Sequence, residues 1–276
     1  MRSFLLAVTF AVVSLTVPRH SVAANLSADD LGTSVTLSGA IVPGDAERLA
    51  SHFMSTKPIQ ISTTSSYYPF PNTLYLNSPG GDVLEAVRLA ELVRALGLAV
   101  AVAPGAKGSC ASSCFLIYVS AVARSAAGID TLRAQGARRN LGALGVHRPY
   151  LREIASGPAG AREQEEVMVA MRAHLTKFGV GQALIDKMMS HASNDIYWLD
   201  AEDIRALGAY SAGVEEQLIS KCGYNSKRDA KQSARDFLES MNSGSGNCIT
   251  AYMTATYDPV RLTTVDRMRQ GWRPWK

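Results

Sequence analysis

Between Thr73 and Ala103 the chain leaves few options for its fold. Thr73 to Asn77 reads as a short strand that stops at Ser78-Pro79-Gly80-Gly81. Asp82 then opens a helix, with Glu85 three residues on in the spacing of a capping box. Charges at Asp82, Glu85, Arg88, Glu91 and Arg94 recur every three residues, so the helix has one solvated stripe and a wide buried face. Gly97 ends it, and Leu98 to Ala103 follows as a wholly apolar strand. A strand apolar on both faces must be covered on both sides, which calls for a layered α/β arrangement.

The flanking segments extend the alternation. Val35 to Val42 reads as a strand and Asp45 to Met54 as a helix, with a Ser-, Thr-, Tyr- and Pro-rich loop over 55–72. Pro104 to Gly108 is a turn, Ala111 to Ala123 a buried helix, and 124–141 an irregular, Arg- and Gly-rich connection. Leu144 to His147 ends a strand, Arg162 to Phe178 and Gln182 to His191 are helices, and Asp195 to Leu199 is a strand. Ala201 to Leu207 is a helix stopped by Gly208. Residues 215–276 are more polar and form a C-terminal extension.

The N-terminus has the layout of a secretory signal peptide over residues 1–24. Arg2 supplies the positive start, Phe4 to Val17 is uncharged and mostly apolar, and Ala23 and Ala24 are the small residues at which cleavage is expected. That run is shorter than the roughly 20 residues of a membrane span. The mature chain is expected in the periplasm, with a domain over 25–214 and the extension over 215–276. Export makes disulfides the expected state of Cys110, Cys114, Cys222 and Cys248, which allow three full pairings. Cys222 with Cys248 would close a loop around Gly244-Ser245-Gly246. Cys110 and Cys114 come within bridging geometry only if the chain there is not regular helix.

Composition narrows the function classes. The chain is 47% hydrophobic and 19% charged, which excludes a disordered tail protein, a collagen and a multi-span membrane protein. Net charge is +4, and Arg2 and Arg19 contribute two of those charges, so the mature chain has no nucleic-acid footprint. No CxxC pair or HExxH helix calls for a metal, and no cofactor is expected.

Three short segments carry chemistry together. Asn77-Ser78-Pro79-Gly80-Gly81-Asp82 lies between strand and helix, where adjacent glycines let backbone N–H groups approach an oxyanion. Gly108-Ser109-Cys110-Ala111-Ser112-Ser113-Cys114 puts small hydroxyl residues where an apolar helix begins, a place for a nucleophile or a helix cap. Gly145-Val146-His147-Arg148-Pro149 ends an apolar strand in a histidine. In this order the segments resemble the Clp-type serine peptidases of the Clp/crotonase fold. In that family an N-S-P-G-G turn supplies an oxyanion-hole amide, an A-S-x-x turn the nucleophile, and a strand ending in H-x-P the base. The likeness runs over about 34–214 and is greatest to exported bacterial Clp-like proteins with a Cys-x-Ser-x-Cys motif, which Cys110, Ser112 and Cys114 match.

The resemblance implies a Clp/crotonase-like layered α/β fold and an exported serine hydrolase, most simply a peptidase. It implies Ser112 as nucleophile, His147 as base and Asp195 as third triad member, with an oxyanion hole from Gly80, Gly81 and Ser113. It also implies a peptide or protein substrate and a homo-oligomer. Ser113 is a second candidate nucleophile, and Asp186 and Asp200 are alternatives to Asp195. The gap from Ser112 to His147 is longer than such peptidases usually have, and Ser113 and Cys114 depart from the small and Met residues common after the nucleophile. Competing readings are a catalytically idle scaffold of the same fold, a crotonase-type acyl-CoA enzyme, and a thiol hydrolase using Cys110 or Cys114. The basic, Trp-containing end Arg261 to Lys276 is expected to pack on the domain or a neighbouring subunit, or to touch an anionic membrane surface.

Overall fold

The computed structural model describes residues 23–28, 34–55, 73–102, 108–126, 144–150, 158–192, 194–224 and 244–276. Residues 1–22 of the signal peptide expected over 1–24, 56–72 of the loop read over 55–72, and 127–141 of the connection read over 124–141 lie outside them. Two sheets form. The larger contains β1 (Asn25–Ala28), β2 (Ser34–Ser38), β3 (Thr73–Asn77), β4 (Ala99–Val102) and β6 (Ala123–Ser125), in that spatial order. β1 runs antiparallel to β2 and the remaining pairs are parallel. The smaller sheet has β7 (Leu144–Val146) between β5 (Cys110–Ala111) and β8 (Tyr197–Trp198).

Helices cover these sheets: α1 (Asp45–Ser55), α2 (Val83–Ala95), α3 (Cys114–Ser120), α4 (Pro158–Lys177), α5 (Gln182–Ser190), α6 (Ala201–Leu207), α7 (Ala212–Cys222) and α8 (Gly244–Arg269). This is the layered α/β fold with a mostly parallel main sheet. Leu74 and Leu76 of β3 and Leu89 and Leu92 of α2 are wholly buried. Each such side chain stabilises the fold by about 1.5–3 kcal/mol. α3 is buried along its whole length between α2, α4 and the smaller sheet, which is why Ala111 to Ala123 carries no charge.

Several boundaries differ from the sequence reading. β2 stops at Ser38 because Gly39 turns the chain with φ of +95°, and Ile41 beyond it forms an isolated bridge to Gly81. The apolar run after Ala111 is not one helix. It is a turn, the short α3, and then β6, which pairs Arg124 with Val100. Uniformly apolar residues hide that division, since both elements are buried. Asp82 does cap α2, accepting from the Glu85 amide at 2.8 Å. The Glu85 carboxylate does not return the bond. It is buried and accepts from the Ala46 amide at 2.7 Å, serving the orphan donors at the start of α1. The charged stripe of α2 is therefore not wholly solvated.

The described residues of the extension pack on the rest of the chain. The expected boundary at 214/215 falls inside α7, and Cys222 at the end of α7 is bridged to Cys248 in α8 with a Cα–Cα distance of 5.6 Å. Thr264 of α8 donates to the Ala95 carbonyl at 2.8 Å, Arg269 to that of Met54 at 2.9 Å, and Arg273 to the Glu47 carboxylate at 2.9 Å. Trp272 and Trp275 pack against the main core, so the basic, aromatic end sits on its own domain. No helix among the described residues is long and apolar enough to cross a membrane.

Candidate active site

The three sequence segments meet at one turn. Ser78 donates its N–H to the Ser109 carbonyl at 2.7 Å and accepts from the Ala111 amide at 2.9 Å. The Asn77 side chain accepts from the Ser109 amide at 3.3 Å. These bonds stitch the end of β3 to β5. Ser112 then donates its N–H to the Gly145 carbonyl of β7 at 2.9 Å, two residues before His147. Asn77 to Gly81, the Ser112 turn and His147, far apart in sequence, are thus adjacent through backbone bonds.

Ser112 has φ of +56°, the one non-glycine residue among those described with positive φ. An L-residue in the left-handed region costs about 1–2 kcal/mol, and such strain persists only where the surroundings over-determine it. The side chain is half-buried. Ser113 is 1% exposed, and its Oγ has no hydrogen-bond partner among the described residues. Of the two candidate nucleophiles, Ser112 is the accessible one.

Cys110 and Cys114 form a disulfide with Cα atoms 5.3 Å apart, closing over Ser112. The turn is not regular helix there, which is the condition such a pairing requires. Both sulfurs are therefore unavailable as thiol nucleophiles.

Gly80 sits against this turn. A Cβ on it would lie 2.7 Å from the Ala111 oxygen, 2.7 Å from Ser112 Cβ and 3.0 Å from the Ser113 nitrogen. At Gly81 a Cβ would lie 2.1 Å from the Ile41 oxygen. The pair is required by close approach as well as by positive φ. Their amides are not equivalent. Gly80 N–H donates to Ser78 Oγ at 3.1 Å. The amides of Gly81 and Ser113 have no hydrogen-bond partner among the described residues.

His147 is 8% exposed, and its ring lies 5.9 Å from that of Tyr150, centroid to centroid. Nδ1 is 2.8 Å from the Arg148 carbonyl oxygen. With the proton on Nδ1, that nitrogen donates to the carbonyl and Nε2 presents its lone pair, the form a general base needs. Among the described residues no hydrogen bond joins His147 to Ser112 Oγ or to Asp195. Asp195 is exposed, and its amide donates to the Ala192 carbonyl at 3.1 Å. Continuing the β7–β8 register sets it level with Arg148, one residue past His147. The alternatives have other tasks. Asp200 caps α6 through the Glu202 and Asp203 amides, and Asp186 pairs with Arg172 at 3.3 Å and Gln182 at 2.8 Å.

Sequence reasoning passed over Asp203. It is buried, accepting from Lys187 Nζ at 2.6 Å and from Tyr197 Oη at 2.7 Å. The hydrogen bonds to Asp203 and Tyr197 raise the Lys187 pKa, and burial followed by the Asp203 bond raises that of Tyr197. This group anchors β8 beside the site. Its only sequence signal is the capping-box spacing of Asp200 and Asp203.

The chain is similar in fold to solved structures of low sequence identity. Against ClpP1 from Listeria monocytogenes the identity is 18% with a TM-score of 0.42, covering 64% of this chain and 88% of that one. Against a mutant of the 1510-N membrane-bound stomatin-specific protease the identity is 12% with a TM-score of 0.43, covering 69% of this chain and 84% of that one. No protein-family model and no curated protein matches the sequence. The chemistry of the site therefore rests on this chain's own residues.

Proposed function

We propose that the protein is an exported serine hydrolase acting on peptide bonds, with Ser112 as nucleophile and His147 as general base. The observation that carries this reading is the strained, accessible Ser112, set by backbone bonds between a glycine turn with a free amide and a strand ending in histidine. Ser112 Oγ attacks the substrate carbonyl carbon while His147 Nε2 takes the hydroxyl proton, which requires the two atoms to come within about 2.6–3.2 Å by side-chain rotation. The negative oxygen of the tetrahedral intermediate accepts from the Gly81 and Ser113 amides; one such donor is worth about 2.7–4 kcal/mol. Collapse breaks the C–N bond, and Nε2 returns the proton to the leaving amine. Water, deprotonated by the same nitrogen, then releases the acyl group from Ser112.

In this reading the Arg148 carbonyl holds the tautomer of His147. Asp195, the expected third member, contributes only charge at a distance. Exposed apolar side chains on the segments flanking the site, Leu84, Tyr150, Ile196 and Trp198, favour substrates with apolar residues near the cleaved bond. The two disulfides favour an oxidising compartment, in keeping with export. Assembly into a homo-oligomer belongs to the same reading and is read by sedimentation.

The test is a fluorophosphonate probe on the folded, oxidised mature protein, with the adduct mapped by mass spectrometry. Labelling is expected on Ser112, lost in Ser112→Ala and strongly reduced in His147→Ala. A folded, oxidised protein that takes no label at Ser112 would instead support the idle scaffold.

A further inference from the structure

Ser112 lies at the centre of a ring closed by the Cys110–Cys114 bridge, and the turn has few other restraints on its helical side. Upstream, Ala111 is tied to Ser78 and Ser112 to Gly145 through their amides. Downstream, the first bonds of α3 run from Phe115 to the Ser112 carbonyl and from Leu116 to that of Ser113. The start of a helix is ordinarily fixed by a capping side chain. Ser113 occupies the cap position but makes no side-chain cap bond, and its Oγ has no partner among the described residues. The disulfide occupies the role the cap leaves open: it joins the last strand segment before the serine to the first residue of the helix after it.

Resting on the serine-hydrolase reading, we infer that the Cys110–Cys114 disulfide is a positioning element for the nucleophile, so that the reactivity of Ser112 depends on this bridge being oxidised. A non-glycine residue at φ of +56° holds that conformation only while its neighbours impose it. Opening the bridge frees the turn to return to negative φ, which moves the Ser112 side chain from its place against Gly80. The chemistry is thiol–disulfide exchange. Two thiols of a reductant give up two electrons and become a disulfide, and the Cys110 and Cys114 sulfurs take those electrons with two protons to become thiols.

The chain carries its own control. Cys110 and Cys114 are both 0% exposed, whereas Cys222 and Cys248 are only partly buried. Exchange needs access for the attacking thiolate, so the outer bridge opens first under graded dithiothreitol. The experiment takes samples of the full mature chain along such a series. Each is alkylated to map which bridge is open, labelled with fluorophosphonate to obtain the rate at Ser112, and checked by far-UV circular dichroism.

Opening Cys222–Cys248 is expected to leave the labelling rate unchanged. Opening Cys110–Cys114 is expected to lower it by roughly tenfold to a hundredfold with the helical signal retained, and reoxidation to restore it, since small misplacements of reacting groups have effects of that size. An undiminished rate with Cys110–Cys114 open would overturn the inference and leave the hydrolase reading standing. Loss of rate only together with loss of the helical signal would also overturn it, making the bridge a general staple. Absence of label in the fully oxidised protein would remove the hydrolase reading first. A Cys110→Ser/Cys114→Ser double variant gives the same comparison without reductant.

Discussion

Replacing Gly80 by alanine tests the geometry that joins the glycine turn to the nucleophile. Two penalties add. The residue holds φ of +93°, where an L side chain is strained by about 1–2 kcal/mol. The new methyl would also stand 2.7 Å from the Ala111 oxygen and 3.0 Å from the Ser113 nitrogen, both backbone atoms that cannot rotate aside. Forcing a methyl into a packed site costs typically about 1–3 kcal/mol, so the expected loss is about 2–5 kcal/mol. The displaced atoms are the Ser112 turn and the Ser113 amide proposed as an oxyanion donor, so the labelling rate should fall even where the variant stays folded. Urea unfolding monitored by circular dichroism gives the stability, and fluorophosphonate labelling gives the site. Gly213→Ala is the matched control: Gly213 lies in α7 with nothing within 4 Å of a Cβ, and there the same change should stabilise by up to about 1 kcal/mol. A Gly80→Ala protein within about 0.5 kcal/mol of the parent, labelling at the parental rate, would refute the reasoning.

Two other perturbations separate the roles of single groups. Because Nδ1 of His147 meets the Arg148 carbonyl and Asp195 is exposed without a bond to the ring, Asp195→Asn should lower the Ser112 labelling rate by less than about tenfold; a loss near the roughly 10⁴-fold of an orienting triad aspartate would show that Asp195 holds the base in the working state. Burial lowers the pKa of His174 to about 4 from 6.5, so between those values the unfolded chain binds a proton that the folded chain does not. Its contribution is complete above pH 6.5 and is lost as pH falls toward 4, by about 3 kcal/mol at most. Urea midpoints of the parent and His174→Met at about pH 7 and pH 4.5 should show the smaller drop in the variant, and equal drops would exclude His174 as the source.

How much of this was legible in the sequence depends on how local the cause is. The strand into Gly80-Gly81 and the Asp82 cap are set by neighbours a few residues away, and both stand where their residue types predict. Four cysteines left three full pairings open, and the structure pairs Cys110 with Cys114 and Cys222 with Cys248. Other features depend on what arrives from a distance. Ala123 reads as the end of an apolar helix and Arg124 and Ser125 as the start of an irregular connection, yet the three form a strand because β4 offers them an edge. Glu85 reads as surface charge, yet is buried because the start of α1 needs an acceptor.

At the site the sequence determined which residues are present and in what order: the glycine pair, Ser112 between two cysteines, and His147 at a strand end. The tertiary structure decided what each of them meets. It left Ser112 more exposed than Ser113, gave the Gly80 amide Ser78 Oγ as acceptor, and set the Arg148 carbonyl against His147 Nδ1. The last two contacts are local in the chain, but the turns that make them are held by bonds between remote segments, Ala111 to Ser78 and Ser112 to Gly145. Residue type and spacing specify what a group can donate or accept, but only packing specifies what it meets.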